Sequence, residues 1–339
     1  MAPRTSRISG AGAPLSRKWL EQIFRREGLM MTKFRKAAAA MATGLSVLIV
    51  TPASAEQVID VPGFADFLAV DGDSVWATND GRVERWSRSG KLAAVAMGRP
   101  CGAMAIHDGS LWVADCKENA VVRIDTAKAE KLATIATGIA NPKGELNVVA
   151  GAGSIWVASD NKGVVSRIDP ATNAITATIA VTPGTHYLVF GFDALWAISS
   201  EGKTVQRIDP ATNAVTKTTA MGDSPAFSAA GEGAVWVQEQ GDGTVARLDP
   251  ATGEVTGRVK VGKELKWGDI DTGAGMVWLR TTEDQTFVAI DPKALTVVAR
   301  LGKAEGSGAL RYASGGLWTS AHDVHTLTWW PEPILVPAN

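Results

Sequence analysis

The sequence predicts an all-β fold, a seven-bladed β-propeller with four-stranded antiparallel blades whose last blade is closed by the mature N-terminal strand. Three observations lead there. One short phrase recurs seven times, SVWAT at Trp76, SLWVA at Trp112, SIWVA at Trp156, ALWAI at Trp196, AVWVQ at Trp236, MVWLR at Trp278 and GLWTS at Trp318, so seven of the 12 tryptophans share a repeat position. Successive spacings are 36, 44, 40, 40, 42 and 40 residues, the period of a four-stranded blade. Between Trp76 and Trp318 no segment has the apolar spacing of an amphipathic helix.

Within each repeat the strands follow from turn chemistry. Asp108-Gly109, Gly231-Glu232-Gly233 and Gly315-Gly316 precede their Trp phrases, and these residues tolerate the positive φ of a tight hairpin. About ten residues after the Trp comes RIDPATN, at Arg167–Asn173 and Arg207–Asn213, with relatives at Arg247–Gly253, Asp125 and Asp291. There Asp bonds back to following amides and Pro presets φ, which joins two more strands. Flanking runs such as Ile175-Thr176-Ala177-Thr178-Ile179 alternate and are β-branched. The last repeat runs out of chain after Trp329-Trp330-Pro331, whereas Gln57–Gly63 has the pattern that ends other blades and no repeat of its own. Docking that strand on the final blade removes an open edge.

Residues 1–55 are set apart as an N-terminal extension and signal peptide, leaving 56–339 as the propeller. Lys33, Arg35 and Lys36 precede an apolar run from Ala37 to Val50, then Thr51-Pro52-Ala53-Ser54-Ala55, a secretory pattern with cleavage expected after Ala55. The run is too short to span a membrane. A periplasmic or secreted protein without a transmembrane segment after cleavage is therefore expected. Residues 1–55 hold nine of the 34 Lys and Arg and two of the 35 Asp and Glu, which leaves 25 basic and 33 acidic residues, a net charge near −8. An acidic surface with no basic stripe argues against nucleic acid as a partner.

The two cysteines are placed by counting. A two-residue turn at Asp108-Gly109 sets His107 opposite Ser110, and continuing that register sets Cys101 opposite Cys116. Directly opposed strand residues suit a disulfide, and export favours oxidation. A redox or soft-metal pair is the alternative at this end of the hairpin.

In a propeller the innermost strands begin, and the second strands end, at one mouth of the central channel, the default ligand face. Counting back from each Trp places Asp66, Cys101, Lys143, Glu145, Asn147, His186, Tyr187, Phe227, Trp267 and Asp269 there, and counting forward adds Asp80, Cys116, Asp160, Gln240 and His322. Lys143, Glu145, Asn147, Tyr187, Trp267 and Asp269 are the candidate ligand-binding residues. His186 is either a general base or metal ligand facing the channel, or a hydrogen-bonded group on a wet wall. Glu145 either completes a metal or acid pair or is neutralised by Lys143. The seven indoles are expected between blades, and Arg167, Arg207 and Arg247 are expected to cover outer blade surface with their stems.

Through its LWVA and RIDPATN phrases the chain resembles the virginiamycin B lyase-like and YVTN-type bacterial propellers over nearly all of the mature part. The resemblance implies the propeller fold, and for streptogramin lyases a mouth His with a carboxylate-bound Mg ion that breaks an ester by elimination. This sequence has one His at a strand start and none of the repeated His-Gly-Ile openings of those lyases. Asp249-Pro250-Ala251-Thr252-Gly253 is also similar to quinoprotein repeats. The leading expectation is an exported propeller that binds a small molecule or an extracytoplasmic protein at its mouth and at the Thr137–Gly144 loop. A Mg-assisted carbon-oxygen lyase with His186 as base and Glu145 as ligand is the alternative, and a quinone-dependent oxidoreductase the second.

Overall fold

The structure is a computed structural model that describes residues 55–332 apart from positions 267, 282 and 283. The leader expectation and Trp267 lie outside the described residues.

Seven antiparallel sheets stand around one axis. Their innermost strands are Leu68–Asp71, Ala105–His107, Leu146–Gly151, Thr185–Gly191, Pro225–Gly231, Ile270–Gly273 and Leu310–Ala313, for blades 1 to 7 in order, and strands of successive blades touch, the seventh against the first. In blade 7 the outermost strand is Gln57–Asp60, paired antiparallel to Thr326–Pro331 with Gln57 opposite Trp329.

Burial grades outward through each blade and explains the residue types. The second strand, such as Ser154–Asp160, is buried on both faces because a blade packs on either side, so its apolar run is nearly continuous. The outer strand, such as Ala174–Ala180, alternates toward solvent. All seven repeat indoles are 0 or 1% exposed, and each packs into the next blade: Trp76 with Leu111 and Val113, Trp156 with Leu188 and Leu195, and Trp318 with Leu68 and Val75 across the seam. Truncating a fully buried Trp costs roughly 3–5 kcal/mol, so these rings carry much of the adhesion between blades. Trp156, Trp196, Trp236 and Trp278 also donate to the glycine carbonyl five residues earlier, at 2.9–3.2 Å.

The three arginines depart from expectation. Register puts Arg167 directly opposite Trp156, and its guanidinium lies 4.8 Å over that indole rather than along the outer surface. From there Nη1 donates to Pro210 O at 2.7 Å and Asn213 Oδ1 at 2.9 Å in the next blade. Arg123 makes the same bridge to Pro170 and Asn173. Arg207 keeps only a longer bond to Pro250 O, 3.4 Å, and Arg247 stays within its blade on Thr256. A planar fork over an aromatic face explains why Arg recurs there.

The fold is irregular between blades 2 and 3, beside the mouth. Gly102–Ala103 leave blade 2 and pair in parallel with Leu146-Asn147 of blade 3. Gly102 has φ +122°, and a Cβ there would meet Leu146 O at 1.7 Å, so only glycine fits. The detached segment is tied back by the Cys101–Cys116 disulfide, with Cα atoms 5.9 Å apart. The expected pair is therefore present, but not by straight counting: Pro100 bridges Asp115, and the Cys101 amide bonds Ala114 O, which sets the cysteines diagonally. With both sulfurs joined there is no free thiol among the described residues.

Candidate functional site

The mouth is built on equivalent positions. Trp pairs with Ala69, Val149, Val189, Ala229 and Asp271 in five of the blades, and two residues earlier on those strands stand Phe67, Asn147, Tyr187, Phe227 and Asp269. Because i and i+2 share a strand face, these five form one tier around the axis. Two of its rings meet across the channel: Phe67 of blade 1 and Phe227 of blade 5 have centroids 6.0 Å apart, and Tyr187 adds a contact of 4.6 Å to Phe227. Ala103 packs into the same cluster. The tier is thus a floor with an aromatic centre, flanked by the polar Asn147 and Asp269.

Above the floor lies a cavity of about 430 Å³, lined by Phe64, Asp66, Phe67, Thr78, Asn79, Asp80, Arg99, Pro100, Cys101, Lys143 and Glu145 among others. Its size is that of a small-molecule site. Arg99 straps the expected loop over one side, donating to Pro142 O at 2.6 Å and Lys143 O at 3.2 Å. Phe64 forms the lip, stacked on His322 at 3.9 Å. His322 is half-buried in the short turn His322–Val324, and desolvation pushes its imidazole below the ordinary value.

The electrostatics of the cup are uneven. Burial pushes the Asp66 carboxyl well above its ordinary range, and repulsion from Glu145 and Asp269 adds to the rise. Burial likewise raises Glu145, with Asp269 adding and Arg99 opposing. Asp66 is enclosed by protein yet open to the cup's own space, so it is desolvated without being sealed. Asp269 is different, because it holds an ion pair with the half-buried Arg311, which offsets part of the rise that burial imposes. Arg280, at the end of the second strand of blade 6, is lowered to about 10 by burial. It donates to the Thr286, Gly306 and Ser320 carbonyls at 2.7–3.3 Å and to Thr281 O.

The predicted residues divide accordingly. Glu145 and Lys143 line the cup together, but the cation whose field reaches Glu145 is Arg99, while Lys143 is exposed. Asn147, Tyr187 and Asp269 belong to the floor tier. Burial raises the Tyr187 phenol, and Glu145 adds to it. His186 stands apart: its ring is edge-on to Tyr187 at 6.4 Å, and the carboxylate whose field reaches it is Glu201, not Glu145. Burial lowers its imidazole, so it is neutral near pH 7. Asp160 and Gln240 serve the backbone and a neighbour, Asp160 accepting from Lys162 N and Gln240 donating to Gln238 Oε1. Counting missed the arginine strap and the lip. Arg99 carries no repeat signal, and Phe64 lies before the first inner strand.

A mouth Mg ion needs convergent oxygen or imidazole ligands. Among the described residues no three His, Cys, Asp or Glu side chains come together in a way that could hold a metal ion, and Asp269 is engaged by Arg311. The donor set does not fit the metal, and no step is derived through one.

Seven sheets closed around one axis define a seven-bladed β-propeller, here with a polar-walled cavity beside the inner strands of blades 1 to 3. Its fold is that of virginiamycin B lyase from Staphylococcus aureus, at TM-score 0.70 and 16% identity over 82% of this chain and 99% of that one. A catalytically inactive form of the same lyase with quinupristin gives TM-score 0.69 at 15% identity, over 82% and 99% of the two chains. Kuenenia stuttgartiensis hydrazine synthase gives 0.68 at 13% identity, over 81% and 97%. At these identities the likeness is one of fold. No family model matches the chain, and no curated protein matches it in sequence.

Proposed function

We propose that residues 56–339, released from a leader at 1–55, form an exported binding propeller, periplasmic or secreted, that holds a small molecule in the mouth cup. The observation that carries this reading is the Phe67–Phe227 contact beneath a cavity of about 430 Å³. It gives the mouth a concave site with an aromatic base and a polar wall, and such concavities are where ligands sit. The Cys101–Cys116 bridge agrees with an oxidising setting, and no described helix is long and apolar enough to cross a membrane. Native mass spectrometry of the mature protein purified from its own host should show a bound small molecule that is lost from the Glu145→Ala, His186→Ala double variant. Full retention in that variant would place the site elsewhere.

The second reading is a lyase, supported by the fold likeness to virginiamycin B lyase. His186, held neutral, would be the base. Its separation from Glu145's field removes the acid partner this chemistry needs, which ranks it below binding. Turnover of a panel of lactones and depsipeptides, with and without added Mg, decides it: product that vanishes in His186→Ala would put the lyase first.

A further inference from the structure

The cup contains two acceptors that the chain itself leaves unmet, and a third lies beside it in the floor. Asp66 and Glu145 line the same cavity, and neither carboxylate has a hydrogen bond or ion pair among the described residues. Asn147, 5% exposed, donates through Nδ2 to Leu188 O at 3.0 Å, while its Oδ1 has no partner. It stands two residues after Glu145, the step that returns a side chain to the same side of an extended chain. Buried acceptors without donors are uncommon and costly.

The cations at hand do not meet this need. Arg99 is committed to the Pro142 and Lys143 carbonyls, Arg280 to backbone oxygens, and the Lys143 side chain is exposed. A metal ion is disfavoured by the arrangement of the ligands already described. Phe67 below and Phe64 at the lip present aromatic surface to the same space, and aromatic faces attract cations. We propose that the cup binds a small organic primary amine in its ammonium form, its N–H donors shared between Asp66 and Glu145, with the orphan Asn147 oxygen adding to the negative potential beside them, and its apolar body against Phe64 and Phe67. This rests on the binding reading above and specifies its ligand.

Isothermal titration of the mature protein with 2-phenylethylamine, 2-phenylethanol and phenylacetate, alongside magnesium chloride alone, tests the class. The amine should bind at least about tenfold more tightly than either isostere, since one charge-assisted contact separates them. Asp66→Asn and Glu145→Gln should each weaken it by about tenfold, with circular dichroism confirming that each variant is folded. Equal affinity for amine and alcohol, no heat with the amine, or magnesium binding with the same dependence on both acids would overturn the proposal. Binding of the alcohol or the acid that these variants abolish would leave a mouth site with a different ligand class. Absence of all three, together with an empty mature protein in native mass spectrometry, would remove the binding reading as well.

Discussion

Replacing Arg167 by alanine removes a strap whose parts can be added up. The guanidinium covers Trp156 at 4.8 Å and bonds Ser154 Oγ at 2.8 Å, Pro210 O at 2.7 Å and Asn213 Oδ1 at 2.9 Å. At a partly exposed site the ring contact contributes about 0.5–1 kcal/mol. Each hydrogen bond contributes about 0.5–1 kcal/mol net, because water recovers the acceptors on the open turn. The expected loss is about 2–3 kcal/mol, a fall in Tm of roughly 4–10 °C. Arg247 supplies the internal comparison. It occupies the same place in blade 5, lies 6.0 Å over Trp236 and, among the described residues, bonds only Thr256 at 2.8 Å and leaves Nε buried without a partner. The next turn carries Leu295 where blade 4 carries Asn213, both at positive φ, so no amide oxygen is offered. Arg247→Ala should therefore cost under about 1 kcal/mol. Thermal and guanidinium-chloride unfolding of the two variants, followed by tryptophan fluorescence, measures the difference. If Arg247→Ala falls as far as Arg167→Ala, the bridge between blades is not what these arginines supply.

Reducing the Cys101–Cys116 bond, or replacing both residues by serine, should lower stability by about 2–3 kcal/mol, somewhat below the chain-entropy value for a short loop because the hairpin is already formed; an unchanged Tm with two titratable thiols would show the bridge to be dispensable. Two carboxylates should give opposite pH responses. Burial alone would raise Glu239, but bonds from Arg258, Thr244 and the Gly222 amide outweigh it and hold the carboxyl below its ordinary 4.5. Its stabilisation is present above that value and disappears as pH falls through the lower folded value. Glu239→Gln should therefore be destabilised at pH 7 by about 1–3 kcal/mol and flatter in acid, as Tm against pH will show. Asp66 is raised, so its folded form favours the proton and its carboxylate opposes folding above the ordinary 3.8. Asp66→Asn should melt higher than wild type at pH 7 and lose the advantage near that value. A lower Tm at pH 7 would mean that Asp66 has a partner in the folded protein.

The ring was legible because one large side chain recurs at one strand position: Trp in a doubly buried strand has few substitutes, so its spacing reports the blade directly. The site was legible only as a set of positions. Counting from Trp placed Glu145, Asn147, Tyr187 and Asp269 near the axis, yet could not say that Phe67 and Phe227 meet across it, since that depends on how tightly the inner strands pack. Nor could it separate His186 from Glu145, which sit at the starts of neighbouring inner strands but feel different carboxylates. Straight register failed at Cys101 because Gly102 leaves its own sheet, and only the glycine itself hinted at that. The arginine bridge was within reach: the same hairpin arithmetic that pairs the cysteines puts Arg167 across from Trp156.

The aromatic contact between blades 1 and 5 ties together two inner strands that are not neighbours in the ring. A displacement of the blade 1 inner strand can therefore reach blade 5 directly across the axis, without passing round the ring. A partner resting on the opposite side, among the Asp-Pro turns, has no direct line to that contact. Any influence it exerts has to be relayed through blade packing, from indole to indole.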